Sequence, residues 1–172
     1  VFSSSASVYG NAMYSPIDEL HPIEPINPYG YTKLIFENVL KDYSKAYGLK
    51  HISFRYFCAA GATNKHGESR DYETHLIPAV IDHILGKTTE IYVFGDDFDT
   101  IDGSGVRDYV HVEDIVDAHI MAIEKIKECS GKKYNIGTSS SFSVLEVIRE
   151  AENIFSQKAN VKIKNRREGD PA

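Results

Sequence analysis

No long hydrophobic run occurs in this chain of 172 residues. The longest, Leu76 to Ile81, is broken by Pro78 and falls far short of the ~20 residues a membrane span needs, so no bilayer-crossing helix is expected. Cysteine is scarce. Only Cys58 and Cys129 are present, no Cys-x-x-Cys exists to hold zinc, and there is neither an Asn-x-Ser/Thr sequon nor a signal peptide. These absences disfavour a disulfide scaffold and point to the reducing cytosol. An excess of positive charge is missing too: 19 Lys and Arg stand against 25 Asp and Glu, a net charge of −6. An electrostatic hold on nucleic acid is therefore not expected, which leaves room for a local cationic pocket. What remains is ordinary globular composition, 42% hydrophobic and 26% charged, enough for a core in one domain or parts of two.

Val1-Phe2-Ser3-Ser4-Ser5 reads like the end of a strand met in mid-domain. Arg166-Arg167-Glu168-Gly169-Asp170-Pro171-Ala172 reads as a charged loop with no closing element. A fragment truncated at both ends is expected. Between them the elements alternate. Asn27-Pro28 starts a helix, because Asn accepts a bond from a first-turn N–H and Pro at the first position gives up only an orphan donor. It runs to Tyr47 with Leu34, Val39, Leu40 and Tyr43 as an apolar stripe, and Gly48 ends it. Lys50–Phe57 reads as a strand. Leu76–Leu85 reads as a helix closed by Gly86, Glu90–Phe94 and Arg107–Val110 as strands, and Asp96–Gly105 as the polar loop between them. Glu113–Lys127 reads as an amphipathic helix with Ile115, Ala118, Ile123 and Ile126 inward. Tyr134–Ile136 is a strand, Ser143 with Glu146 is a capping box opening a helix to about Gln157, and Val161–Lys164 is a last strand. This rhythm is that of an α/β fold.

Tyr29 and Lys33 stand four apart at a helix start, one turn apart on one face. That spacing suits a phenol used as a base. Bringing a tyrosine from ~10 to neutrality needs about 4 kcal/mol, and a Lys cation at ~6 Å in an effective dielectric of ~20 supplies roughly 2.8 kcal/mol; a second positive charge nearby would add the rest. Alone, the spacing carries little, since Tyr43 and Tyr47 repeat it.

Context adds weight. Ser3-Ser4-Ser5-Ala6-Ser7-Val8-Tyr9-Gly10 precedes Asn27-Pro28-Tyr29-Gly30-Tyr31-Thr32-Lys33, and the two blocks resemble the active site of the extended short-chain dehydrogenase/reductase superfamily. Further blocks resemble its UDP-hexose 4-epimerase family in order and spacing: Arg55-Tyr56-Phe57, Ala60-Gly61-Ala62, Leu76-Ile77-Pro78, Phe94-Gly95-Asp96-Asp97, Tyr134-Asn135-Ile136-Gly137, Ser143-Val144 and Arg166-Arg167-Glu168-Gly169-Asp170. The most specific is Asp102-Gly103-Ser104-Gly105-Val106-Arg107-Asp108-Tyr109-Val110-His111-Val112.

The resemblance implies the C-terminal part of a doubly wound, Rossmann-type parallel sheet over residues 1–60 and a smaller mixed α/β substrate domain over 61–172, with some segments returning to the sheet. It implies NAD as cofactor, UDP-glucose and UDP-galactose as substrates interconverted through a 4-keto sugar, and a homodimer at full length. Tyr29 would take the proton of the sugar 4-hydroxyl. Lys33 would hold the nicotinamide ribose and depress the phenol's pKa, Ser5 would bond the same hydroxyl, and Tyr56 would lie near the nicotinamide. His75 and Leu76 would meet substrate, Phe94 the uracil, and Arg107, Arg167 and Asp170 the diphosphate and ribose; guanidinium forks suit phosphate oxygens on physical grounds as well.

Two departures stand out: Cys58 replaces an amide that commonly contacts substrate, and reads as a small buried core residue, and His75 replaces a common Asn. A glycine-rich dinucleotide fingerprint is absent, since Asp108 takes the place of the third glycine after Gly103 and Gly105. The chain on its own is therefore expected to bind no NAD and to be inactive.

Other chemistries fit less well. Asp97, Asp99 and Asp102 lack the glycine and the oxygen ligand of a calcium loop. No Gly-x-Ser-x-Gly exists for a serine hydrolase. His111 and His119 have no third ligand at metal spacing, and no metal is expected. A 4,6-dehydratase would carry Asp-Glu where Ala6-Ser7 stands, and a non-catalytic nucleotide-sugar binding paralogue has no need of Ser5, Tyr29 and Lys33 together.

Overall fold

The computed structural model describes residues 1–71 and 73–171. Two compact units emerge. The first comprises 1–61, 108–140 and Pro171, the second 62–107 and 141–170.

In the first unit β1 (Phe2–Ser5) pairs in parallel with β2 (Ser53–Tyr56), which pairs in parallel with a strand at Lys133–Ile136. Helix α1 runs from Pro28 to Tyr47 between β1 and β2 in sequence, the crossover that parallel strands require. Its ends are where local chemistry puts them. Asn27 accepts a bond from the Gly30 N–H, and Gly48, at φ 69°, ends the helix in the left-handed conformation with its N–H on the Ser44 carbonyl. A short strand β3 (Cys58–Ala60) follows β2 and pairs with the outer half of a strand whose full range is Val106–His111.

In the second unit α2 (Leu76–Ile84) is followed by β4 (Ile91–Phe94). The strand at Val106–His111 is β5; its Val106 and Arg107 belong to this unit. The first unit then adds α3 (Val112–Glu124), a short α4 (Ile126–Cys129) and β6 (Lys133–Ile136). The second closes with β7 (Ser141–Ser143), α5 (Val144–Phe155) and β8 (Val161–Lys164), the last parallel to β4. Both halves of the capping box on α5 form: Ser143 Oγ accepts from the Glu146 N–H and Glu146 accepts from the Ser143 N–H.

Each unit has its own apolar centre. Ile52, Phe54 and Ala122 are buried in the first, with Tyr134, Ile136 and Ala118 packed against them. Val80, Ile84, Ile91, Val93 and Ile148 are buried in the second.

Several details depart from the sequence reading. The strand expected from Lys50 is formed only over Ser53–Tyr56, and the helix expected to Lys127 breaks at Lys125, whose N–H still reaches the Met121 carbonyl. Ile123 is exposed, and Ala122 beside it is the buried residue. The expected stripe on α1 is corrected more deeply: Val39 and Tyr43 face solvent, while the buried side chain is Glu37. The strands β3 and β7 carry no sequence signal of their own, being three residues each. Cys58, expected in the core, is half-buried on β3 opposite Tyr109. Among the described residues no helix is long and apolar enough to cross a membrane.

Candidate functional site

In the first unit the candidate residues gather at the carboxyl ends of β1 and β2, where open α/β sheets receive their ligands. Ser5 ends β1 and Tyr56 ends β2, and the two are register partners. Three consecutive serines do three different things. The Ser3 carbonyl accepts from Lys33 Nζ at 2.9 Å. Ser4, buried, donates to Glu37 Oε1 at 2.6 Å. Ser5 Oγ caps the 3-10 turn Ala6–Val8 by accepting from the Ser7 N–H.

The Lys33 ammonium lies 5.3 Å from the centroid of the Tyr29 ring and 5.5 Å from that of Phe2. Tyr29 is 54% exposed, so its phenol is open to an incoming ligand. Between Tyr29 and Tyr31, Gly30 is buried: a Cβ there would lie 2.4 Å from the Ser7 carbonyl. Only glycine lets the helix start come this close to the turn that follows Ser5.

Tyr56 is tied at both sides, with its hydroxyl 3.0 Å from Ser3 Oγ and 2.9 Å from His119 Nε2. His119 Nδ1 is 2.8 Å from the Ile115 carbonyl, which can only accept. In the neutral ring Nε2 then accepts from Tyr56, and Ser3 donates to Tyr56. Burial pushes the Tyr56 phenol up, against the smaller opposing effect of the Ser3 bond, and so favours the neutral donor form.

Beneath this surface lies a buried ion pair that motif reading gave no role. Arg55 on β2 donates to Glu37 from Nε at 3.0 Å and Nη2 at 2.8 Å. Lys133 Nζ stands 3.0 Å from the same carboxylate. Arg55 Nη1 donates to the Tyr9 hydroxyl, which donates to Asn135 Oδ1. Burial would raise the Glu37 carboxyl, but the bonds from Arg55, Ser4 and Lys133 outweigh it and hold it at about 2. Arg55 is held up by Glu37 and Tyr9 against a burial that would lower it.

In the second unit Phe94 ends β4, and the Arg167 guanidinium stands 4.7 Å from its ring centroid while donating from Nε to Asp170 at 2.8 Å. Three of the expected substrate residues are thus assembled. Next to them in the chain, Arg166 covers the Phe98 ring and pairs with Asp97, and an open cleft of about 630 Å³ is lined by Gly95, Asp96, Lys164 and Arg166 among others. Arg107 donates from Nη1 to the Val106 carbonyl at 2.7 Å. His75 precedes α2 with no side-chain cap bond and pairs with Glu68, and Leu76 packs against the apolar centre. His75, Glu68 and Glu73 each bring one possible ligand atom within 4.8 Å of the others, a grouping the sequence reading did not anticipate; the Arg70 guanidinium, 2.6 Å from Glu68, already balances charge there.

The block Asp102–Val112 turns out to be largely structural. Asp102 accepts from Ser104, Ser143 and Arg149, which leaves little of a calcium ligand. Asp108 accepts from the N–H groups of Thr138 and Ser139 and from the Thr138 hydroxyl. His111 caps α3 through the Glu113 N–H and packs on Gly61, where at φ 91° a Cβ would stand 2.1 Å from its ring.

Residues 1–137 match the model of the NAD dependent epimerase/dehydratase family. The UDP-glucose 4-epimerase of Halalkalibacterium halodurans is 43% identical over all of this chain and 52% of its own length. Among solved structures, the UDP-glucose 4-epimerase of Bifidobacterium longum in complex with NAD+ and UDP is 41% identical with a TM-score of 0.93, over 99% of this chain and 52% of that one. The enzyme of Brucella ovis in complex with NAD is 43% identical with a TM-score of 0.90, over 99% and 53%. The chain spans about half the length of the curated relatives it matches.

Proposed function

This chain belongs to the NAD dependent epimerase/dehydratase family, and from that premise we propose that the full-length protein interconverts UDP-glucose and UDP-galactose. The observation that carries the reading is Lys33, whose ammonium is fixed to the Ser3 carbonyl while standing one helical turn from an exposed tyrosine. An ammonium has three donors. One engages Ser3, which suits the others to ribose hydroxyls of a dinucleotide. That fit supports NAD as cofactor, with Tyr29, Lys33 and Tyr56 beside its nicotinamide end. Bound there, NAD+ would supply a hydride acceptor for the sugar C4 and return the hydride to the opposite face.

The chain's own residues do the rest. Tyr29 takes the proton of the 4-hydroxyl, Lys33 stabilises the phenolate, and Ser5 orients the hydroxyl. Because the 4-keto sugar must turn over between the two transfers, the grip belongs on the nucleotide, remote from the reacting carbon. Phe94 offers a ring to the base, and Arg107, Arg167 and Asp170 serve the diphosphate and ribose, with His75 and Leu76 toward the sugar. In this reading 1–60 belongs to the cofactor domain and 61–172 mainly to the substrate domain of a cytosolic homodimer.

The test mixes the full-length protein with NAD and UDP-galactose and follows UDP-glucose. Sustained conversion is expected, with none from these 172 residues alone. A folded full-length protein that binds UDP-galactose without converting it would remove the epimerase reading and leave a binding role.

A further inference from the structure

Tyr29, Lys33 and Glu37 follow one another at four-residue intervals along α1, so they form one stripe on the helix. Tyr29 is exposed and Lys33 half-buried. The third is 1% exposed and is held from three strands at once: by Ser4 of β1, Arg55 of β2 and Lys133 of β6.

Apolar contacts are non-directional, and no apolar side chain of α1 is fully buried, Leu34 and Leu40 being half-buried. Its buried residues are Gly30 and Glu37 alone. A helix resting on such a surface can slide or roll. A bidentate guanidinium–carboxylate pair cannot, because both its bonds have a fixed direction. At 1.5 Å per residue, Glu37 is ~6 Å along the axis from Lys33 and ~12 Å from Tyr29, short enough for a rigid helix to transmit a setting made at Glu37. For such a buried pair, apolar replacement of both partners together is often neutral or better, whereas loss of one partner is costly.

We propose that Glu37, locked by Arg55, is a positioning residue that sets the height and rotation of α1 and thereby holds Tyr29 and Lys33 in place over β1. The proposal rests on the reading of Tyr29 as the base.

Two variants of the full-length protein test it. Glu37→Met with Arg55→Met removes both buried charges of the lock together and leaves the partly exposed Lys133 ammonium to water. Arg55→Lys keeps the charge and loses the fork. The double variant is expected to melt cooperatively, to lose ~10–100-fold in kcat, the penalty for a displacement of about 1 Å, and to keep its KM for UDP-galactose. Its crystal structure shows Lys33 Nζ off the Ser3 carbonyl. Arg55→Lys gives the same changes in smaller measure. Wild-type kcat in either folded variant, or a lowered kcat with the Lys33–Ser3 bond intact, overturns the proposal. The crystallographic readout needs no turnover: a wild-type protein inert toward UDP-galactose sinks the epimerase reading, while the Lys33–Ser3 distance still decides the role of Glu37.

Discussion

Lys33 donates to the backbone carbonyl of Ser3 at 2.9 Å. The bond joins the first turns of α1 to the strand that ends in Ser5, and it holds a cation beside Tyr29 by a group that no side-chain substitution at position 3 can remove. The ammonium is therefore a fixture of the fold, and the phenol is the exposed partner.

If Tyr29 removes the proton, Tyr29→Phe in the full-length protein lowers turnover by ~10²-fold or more, the general acid–base range, and leaves UDP affinity nearly unchanged. Turnover assays with calorimetry on the same preparation check this. Near-normal turnover excludes Tyr29 from the chemistry.

Arg107→Ala weakens UDP binding by ~1.5–3 kcal/mol, the range for charge-assisted bonds, whether or not a hexose is attached. Calorimetry with UDP alone reads the effect. An unchanged affinity would exclude Arg107 from the grip on UDP.

Acid sensitivity follows from Glu37. Its carboxyl ionises at about 2 in the fold, against an ordinary value of 4.5. A depressed carboxylate stabilises the fold above its unfolded value and loses that contribution as pH falls toward the folded one. Denaturant midpoints of the wild type should therefore fall between pH 4.5 and about 2, by up to ~3 kcal/mol in unfolding free energy. Glu37→Gln is less stable at neutral pH and shows a shallower acid decline. Parallel declines for the two proteins would place the sensitivity elsewhere.

Ser143 serves two masters, accepting from the Glu146 N–H and donating to Asp102 at 2.6 Å. Ser143→Ala should destabilise the fold by about 2 kcal/mol, the upper end for an N-cap, because a charge-assisted bond is lost with the cap. Thermal or denaturant unfolding measures it. A loss within a few tenths of a kcal/mol would mean that water replaces the hydroxyl on both sides.

The sequence makes helix ends plain where the signal is local. Asn27-Pro28 and Gly48 bound α1, and Ser143 with Glu146 opens α5, because each cap is made by residues within one turn of the end they close. The spacing of Tyr29 and Lys33 is legible for the same reason. What periodicity could not deliver is the buried face of α1. A glutamate reads as surface until its partner is known, and Arg55 lies 18 residues away on another element. The block from Asp102 to Val112 shows the converse: it is the most specific signal in the chain, yet most of its polar side chains hold turns and helix starts, and Arg107 is the one assigned to a ligand.

The serines of β1 have a further consequence. A one-residue slip in a strand turns its side chains over to the opposite face, and in most strands that swaps apolar for polar groups and is opposed at once. Along Ser3-Ser4-Ser5 the swap exchanges one hydroxyl for another, so the run carries almost no information about its own alignment. That information comes from its neighbour. Phe2 stacks on Phe36 of α1 with ring centroids 4.9 Å apart, and it is the residue of β1 that a slip would displace from an apolar partner. Phe2 thus favours, together with the Ser4–Glu37 bond, the alignment in which Ser4 and neither of its two serine neighbours meets Glu37.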